Sequence, residues 1–237
     1  MSDTLALFWL AFQSCLAALP ITAMLTLVSV SIGFIIALPL SVLSLKERSI
    51  AGRITNGFVY FFTGTPLLVQ LYIFYYGIPS LGPVRELMQE QGWEFLKSGY
   101  IWVLTALTLN TAAYSTVIFA GAIKNTDRGE VEAAMAYGMS RLQAMRRIII
   151  PSGLRRALPA YSNEVIMSMH ATALASTVTI VEITGAASYF NSIYYEPFIA
   201  YSAAAILYLI LNTVLVVGFR QIEKKYLLHL KYRHGVA

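Results

Sequence analysis

The chain has 237 residues, of which 57% are hydrophobic and 12% are charged. Soluble domains carry about a quarter charged residues, so this composition excludes an ordinary soluble protein and is typical of one that lies largely within a membrane. Several apolar stretches reach the roughly 20 residues that a transmembrane helix needs, which also excludes a soluble core with a single anchor. The single cysteine, Cys15, excludes a disulfide within the chain. The net charge of +5 has to be interpreted from where the basic residues lie.

The apolar stretches predict an all-α integral membrane protein with about five transmembrane helices. Residues 1–16 are interpreted as a short amphipathic or extracytoplasmic segment, and no cleavable signal is expected because a positive n-region is missing. Gly33 and Pro39 predict a kinked first span. A polar stretch over 85–98 separates the second span from the third. The five predicted spans are 19–45, 54–76, 100–123, 158–180 and 197–219.

Glycine and proline mark a special site in the second span. Gly64 and Pro66, in the sequence Thr-Gly-Thr-Pro, predict that this helix is distorted or broken near its cytoplasmic half. Such a break would expose backbone groups for contact with a ligand. Gly121, in the third span, is interpreted instead as a site of close helix packing.

The basic residues predict the orientation of the chain in the membrane. All but two of the 17 lysines and arginines lie between the first and second spans, between the third and fourth, or after the fifth. The N-terminus is therefore expected outside the cytoplasm and the C-terminus inside it. The positive charge is explained first by topology and second by attraction to anionic lipids of the bilayer, so nucleic acid is not an expected partner.

The chain is expected to form a single membrane domain over 1–237, because no repeat, low-complexity tract or linker interrupts it. The phosphate-binding sequence G-x-x-x-x-G-K-[ST] does not occur. If ATP drives this protein, another chain binds the ATP.

A polar, basic loop over about 124–157 separates the third span from the fourth. Glu130 and Glu132 suit the positive end of a first short helix, and a second short helix is predicted over 139–149. Gly138 lies between them and permits a tight turn. Both helices are expected to lie along the membrane surface. An ordinary amphipathic interfacial helix would also explain the apolar side of the second one, which is formed by Leu142, Met145 and Ile149.

This loop resembles the cytoplasmic signature loop of the membrane subunits of ATP-binding-cassette importers. The family pattern is E-A-A, three residues, G, about nine residues and I-x-L-P, and Ile150 stands here where leucine is usual. In that family, the residues near the glycine and the helix after it dock into a cleft of an ATPase. The resemblance assigns this coupling role to Glu132, Ala133, Ala134, Gly138, Met139, Ser140 and Pro151.

The resemblance extends over about residues 20–225 to the histidine and arginine permease group of polar amino acid importers, and especially to the M-type subunits of histidine permeases. It is carried by FTGTPLLVQ (62–70), LTLNTAAYSTVIFAGAI (107–123) and LPAYSNEVIMSMHATALAS (158–176). It implies the membrane domain of a type I importer, a multi-pass protein of a bacterial inner membrane that provides half of a pathway for amino acids. Basic substrates are expected: arginine, ornithine, lysine or histidine.

The same resemblance implies several partners. A cytoplasmic ATPase dimer would hold ATP and Mg²⁺, so no cofactor is expected on this chain. A second, related permease subunit would complete the pathway, and the M-type resemblance favours a heterodimer. A periplasmic amino-acid-binding protein would deliver the substrate. Closure of the ATPase would pull the coupling helices together and open the membrane cavity outward.

Glu164 is the most informative residue within the predicted spans, because a carboxylate at bilayer depth is costly unless it is paired or lines a wet cavity. Two interpretations stay open: a buried structural pair or cap, and contact with a cationic substrate. His170 lies about 240° further round the helix; it is expected to make an interhelical hydrogen bond, and no metal or catalytic site is expected. Helical spacing places on one polar face Tyr161, Glu164, Ser168, Ala171, Thr172 and Ala175.

Gln70, Asn110 and Tyr114 are further candidates for substrate binding. Asn110 and Tyr114 share a helix face, from which they would bond the α-amino and carboxylate groups of an amino acid. The alternative is that they hold helices together, which is the commoner role of such residues in membranes.

Two other function classes compete with the importer. A stand-alone secondary transporter or channel would need its own coupling carboxylates, yet only Glu164 lies clearly within a span. A membrane-embedded enzyme would need a nucleophile or a metal constellation, and neither can be assembled in helical phase.

Overall fold

The computed structural model describes residues 2–231, with side-chain positions for residues 3–226. Arg233, at the end of the basic tail, lies outside the described residues. Between 2 and 231 the chain folds into helices joined by short turns, and no strand is formed among these residues. The α-helices are α1 (Ser2–Ser44), α2 (Ile50–Gly64), α3 (Leu67–Tyr72), α4 (Ile78–Ser80), α5 (Gly82–Leu87), α6 (Gly99–Lys124), α7 (Arg128–Ala136), α8 (Arg141–Ala144), α9 (Ile150–Ala171), α10 (Ile183–Tyr194) and α11 (Pro197–Lys231).

The described residues contain three to five segments long enough to cross a membrane. Three unbroken helices, α1, α6 and α11, are long and apolar enough to cross a bilayer. Two bent pairs also qualify if each pair counts as one span: α2 with the segment from α3 to α4, and the helix over 141–178 with α10. The prediction of an all-α membrane protein with about five spans is confirmed.

α1 is the centre of the bundle. It is a single helix of 43 residues, about 65 Å long at 1.5 Å per residue, and it contacts α6, α9, α10 and α11. The segment predicted over 1–16 forms the first turns of this helix, because nothing between Asp3 and Leu19 breaks a helix and Ala11 and Cys15 are fully buried against α10 and α11; its extracytoplasmic position stays a prediction. Pro20 does not end the helix either, as is usual where neighbouring helices surround a membrane helix.

The second span is broken where the sequence predicted. α2 ends at Gly64, Pro66 precedes the first residue of α3, and the two directions differ by 105°. Proline favours this geometry because it lacks a backbone N–H and fixes φ at a value suited to a helix start. The span begins at Ile50 rather than at residue 54, because the Ser49 hydroxyl caps α2 by accepting a hydrogen bond from the Gly52 N–H.

The helix that contains the fourth span is longer than the span predicted over 158–180. It is continuous from Arg141 to Val178 and ends in a 3₁₀ segment over Thr172–Val178, so it also includes most of the short helix predicted in the preceding loop. The stretch predicted as a loop after this span contains α10, whose N-terminus is capped by the fully buried Glu182 carboxylate. That carboxylate accepts hydrogen bonds from the Gly185 N–H at 2.8 Å and from the Tyr208 hydroxyl at 2.6 Å.

Two glycines of α2 provide a matched test of packing. A Cβ atom at Gly52 would lie 2.1 Å from the Lys46 carbonyl oxygen, whereas one at Gly57 meets nothing within 4 Å. We expect Gly52→Ala to destabilise the protein by about 1–3 kcal/mol, because backbone has to move. Gly57→Ala is expected to be neutral or stabilising by up to about 1 kcal/mol. The measurement is the fraction of monodisperse protein that survives a heating series in detergent, and equal survival of the two variants would contradict the expectation.

Gly121 does not have the packing role predicted for it within this chain. A Cβ atom there meets nothing within 4 Å. The glycine of α9 that does allow close approach is Gly153, where a Cβ atom would lie 3.2 Å from Ile123 Cγ1 at the end of α6.

Candidate functional site

A cavity of about 430 Å³, with both polar and apolar side chains in its wall, opens between α3, α6 and α9. This volume is within the range of small-molecule sites and accommodates an amino acid. Polar groups come from α6 and α9, while α3 contributes an apolar wall. The lining residues are Leu67, Leu107, Asn110, Thr111, Tyr114, Asn163, Glu164, Met167, Ser168 and Ala171.

Glu164 is half-buried in the wall of this cavity. Its carboxylate accepts a hydrogen bond from Ser168 Oγ at 3.4 Å, and Ser168 is also 2.9 Å from Thr111 Oγ1 across the interface with α6. Among the described side chains no lysine, arginine or histidine forms an ion pair with Glu164. The structure thus places an acidic group, without a cationic partner from the described residues, at the edge of a space of ligand size.

Gln70 and Asn110 form a hydrogen-bonded clasp over the break between α2 and α3. Gln70 is fully buried, and its Nε2 donates to the Phe62 carbonyl oxygen at 2.8 Å and to the Thr65 carbonyl oxygen at 3.0 Å. Its Oε1 accepts from Asn110 Nδ2 at 3.0 Å, and the same Asn110 amide donates to the Phe62 oxygen at 3.2 Å. The carbonyl groups that the break leaves without helical partners are satisfied in this way.

The three candidates of the second and third spans therefore differ in position. Asn110 and Tyr114 line the cavity, and the Tyr114 hydroxyl lies 3.4 Å from the Thr63 carbonyl oxygen of α2. Gln70 lies behind them, with both ends of its amide engaged by the protein.

The clasp predicts a test with an isosteric change. Gln70→Glu keeps the shape of the side chain but removes the amide donor, which leaves buried carbonyl groups unpaired at about 1–3 kcal/mol each. We expect the unfolding temperature in detergent to fall by on the order of 5 °C. The exposed Gln89→Glu is the control and is expected to unfold with the wild type. Equal unfolding temperatures for the two variants would show that the clasp contributes nothing.

Three residues of the predicted polar face do not line the cavity: Tyr161, Thr172 and Ala175, of which Ala175 is buried in the apolar core. Tyr161 is buried against Phe34 and Phe119, and Thr172 is fully buried with its hydroxyl donating to the Met169 carbonyl oxygen. The spacing of 100° per residue fails at Thr172 because the helix has become 3₁₀ there. Helical spacing thus did not predict the lining of this cavity at these three positions, and the candidate roles of Tyr161 and Thr172 in substrate binding stay predictions.

Other residues on α9 also differ from expectation. His170 is exposed and its imidazole makes no hydrogen bond to another described residue, contrary to the interhelical bond expected within this chain. Asn163 and Met167 line the cavity although sequence reasoning did not single them out. The sequence signal that could have predicted Asn163 is its position directly before Glu164, the only carboxylate of the predicted span.

The loop between α6 and α9 is built around Gly138. This residue has φ of +75°, and it ends α7 with two hydrogen bonds: Gly138 N–H to the Met135 oxygen at 2.9 Å, and Met139 N–H to the Ala134 oxygen at 3.1 Å. This is the Schellman arrangement, which requires a left-handed residue at the position of the glycine. The predicted tight turn is confirmed.

The second helix of the loop is not a separate element. α8 begins after Ser140, which forms a reciprocal capping box with Gln143, and continues through a π-helical segment, Met145–Ile149, into α9. The prediction of a short helix over 139–149 is therefore wrong at its C-terminal end. Pro151 does not end the helix because it lies in the first turn after the π-helical segment, where the hydrogen-bonding pattern has already shifted.

A groove of about 740 Å³ lies between α7 and the start of α9. Apolar side chains around it are strongly exposed, with Tyr137 at 87% and Leu142, beyond the groove, at 69%. Glu132 and Ser140, also predicted to contact an ATPase, are exposed. The groove is lined by Glu130, Ala133, Ala134, Tyr137, Met139, Arg147, Ile148, Pro151, Ser152 and Arg155.

Comparison with known families identifies the class of protein that carries these features. Residues 29–227 match the family described as binding-protein-dependent transport system inner membrane component. The chain belongs to this family. It is therefore a membrane permease of the ABC importer class, and the alternatives of a stand-alone secondary transporter and of a membrane enzyme are wrong.

Relatives of this importer permease are similar over most of its length. The histidine/lysine/arginine/ornithine transport system permease protein HisM of Escherichia coli (strain K12) is 46% identical over 215 residues, which cover 89% of this chain and 88% of HisM. The octopine transport system permease protein OccM of Rhizobium radiobacter is 39% identical over 218 residues, which cover 92% of this chain and 88% of OccM.

Solved structures share the fold of the permease. A chain from the crystal structure of an amino acid ABC transporter with histidines superposes with a TM-score of 0.76 at 26% identity, covering 95% of this chain and 96% of that one. A chain of the MetNI methionine ABC transporter in an inward-facing conformation gives a TM-score of 0.71 at 18% identity, covering 90% and 95%. The second likeness concerns the fold alone.

Proposed function

We propose that this chain is the M-type permease subunit of an ATP-driven importer of basic amino acids in a bacterial inner membrane. The observation that carries the proposal is the Glu164 carboxylate, which faces a cavity of amino-acid size and has no cationic partner among the described side chains. A guanidinium, ammonium or imidazolium group of a substrate would supply that partner. The names of the relatives HisM and OccM support the same class of cargo.

The cavity suggests how such a substrate would lie. Its charged side chain would approach Glu164 and Asn163, while its α-amino and carboxylate groups would meet Asn110 and Tyr114 on α6. Both ends of a basic amino acid would then have hydrogen-bonding partners, as desolvated polar groups require. Ser168 would hold the Glu164 carboxylate in position through its hydrogen bond.

The loop around Gly138 is proposed to dock on an ATPase dimer, which would bind ATP and Mg²⁺. Its exposed apolar side chains, Tyr137 and Leu142, are of the kind that protein interfaces bury. A related permease subunit would complete the pathway as a heterodimer, and a periplasmic amino-acid-binding protein would deliver the substrate. The positions of the basic residues support an N-terminus outside the cytoplasm and a C-terminus inside it.

Purification of the chain from its native membrane in mild detergent tests this function. An ATPase and a second permease subunit are expected to co-purify, and the assembly in liposomes is expected to accumulate arginine only when ATP and a loaded binding protein are supplied. Octopine and histidine as competitors would rank the cargo. A chain that purifies alone and moves arginine without ATP would refute the proposal.

A further inference from the structure

A cluster of side chains joins α7 to the first turns of α9. The Glu130 carboxylate accepts a hydrogen bond from Ser152 Oγ at 2.6 Å and lies 3.4 Å from Arg156 Nη1. Arg156 donates through Nη2 to Thr126 Oγ1 at 2.9 Å, in the connection between α6 and α7.

The cluster is partly shielded from solvent. The side chains of Arg156 and Glu130 are 23% and 25% exposed, so salt screens their attraction less than that of a surface pair. Arg156 Nε is buried without a hydrogen-bond partner. Removing the Glu130 charge would therefore leave a partly buried cation uncompensated, which is more damaging than the loss of a surface ion pair.

The backbone around the cluster is tightly packed as well. Gly153, next to Ser152, brings α9 so near to α6 that a Cβ atom would lie 3.3 Å from Ile123 Cα. Ser152 and Arg156 are four residues apart and share one face of α9. Glu130 of α7 is thus bonded to both the first and the second turn of α9. The same helix carries Glu164 about two turns after Arg156.

We propose that Glu130, with Ser152 and Arg156, is the link that makes α7 and α9 move as one body, so that displacement of α7 reorients the wall of the cavity. The inference rests on the proposed function, in which an ATPase moves α7. The three residues are positioning residues: they touch neither the cargo nor ATP. Without the link, the ATPase would move α7 while α9 and its cavity residues lag behind.

Charge reversal tests the link in the assembled transporter. The measured quantity is the number of arginine molecules imported per ATP hydrolysed, which a simple loss of folded protein would not change. We expect Glu130→Arg and Arg156→Glu each to lower this ratio at least tenfold with the ATPase still bound, and the double exchange to recover at least half of it. The exposed Glu90→Gln is the control and is expected to match the wild type.

A cysteine pair tests the same link by a covalent route. Glu130→Cys with Ser152→Cys removes the hydrogen bond and is expected to lower the ratio like the single reversals. A short bifunctional thiosulfonate reagent then joins the two thiols, while the native Cys15 is fully buried. If α7 and α9 move together, cross-linking restores the ratio; if they slide past each other in the cycle, cross-linking blocks import.

The outcomes separate this inference from the proposed function. Single reversals with a wild-type ratio would overturn the link, as would a loss that neither the double exchange nor the cross-link repairs. A wild-type preparation that contains no ATPase would overturn the proposed function, and this inference with it.

Discussion

Replacing Gly138 by valine is expected to lower ATP-driven amino acid uptake at least tenfold. The residue has φ of +75° and completes the hydrogen bonds that end α7. Left-handed backbone costs an ordinary L-residue about 1–2 kcal/mol, and more when the side chain is β-branched. About 1.4 kcal/mol corresponds to a factor of ten in population, so the turn would become at least about tenfold less populated relative to competing conformations. The surface that we propose for ATPase docking would be lost with it.

Gly138→Asn is the matched control, because asparagine tolerates left-handed backbone and a Cβ atom at this position meets nothing within 4 Å. It is expected to keep most of the uptake. The measurements are uptake into proteoliposomes and the amount of ATPase that co-purifies with each variant. If both substitutions were equally harmful, side-chain bulk at the interface rather than backbone conformation would be the cause.

Glu164→Gln is expected to lower the uptake of arginine relative to glutamine by roughly ten- to a hundredfold. A hydrogen bond to a charged group contributes about 1.5–3 kcal/mol, which corresponds to factors of that size. The neutral amide keeps the shape of the side chain and its contact with Ser168, but it no longer attracts a cation. Glutamine, which is uncharged, should be affected little.

The measurement is uptake of the two amino acids by fully assembled transporter, with the binding protein saturating so that its own selection does not dominate. Glu164→Asp is the control, because it keeps the negative charge and is expected to keep the preference for arginine. Unchanged selectivity in a well-folded Gln variant would show that Glu164 does not contact the cargo.

Features that depend on local chemistry were predictable from the sequence. Proline at position 66 and glycine at position 64 are incompatible with an undisturbed helix, and α2 breaks there by 105°. Gly138 is where two helix-forming runs meet, and it has the left-handed backbone that favours glycine. The long apolar stretches predicted the class of fold for the same reason: few other structures bury so many of them.

Features that depend on packing between distant segments were not predictable. The long α1 is explained by its burial against α10 and α11, and neither contact is visible in its own sequence. Gln70 resembled a ligand contact, yet it bonds carbonyl groups that only the folded break exposes. Thr172 does not line the cavity because the helix changes from α to 3₁₀ at this residue, and no single residue type predicts such a change.

The clasp at the broken helix also constrains how a transporter of this design acquires a new cargo. Asn110 lines the cavity and also stabilises the bend, because its amide donates hydrogen bonds to Gln70 and to the Phe62 carbonyl oxygen. A substitution there would change the pocket and loosen the bend together. Asn163 and Met167 on α9 also line the cavity, but their side chains make no hydrogen bond to another described residue. Divergence of cargo preference among related permeases should therefore accumulate on the α9 wall, while the α6 wall stays fixed.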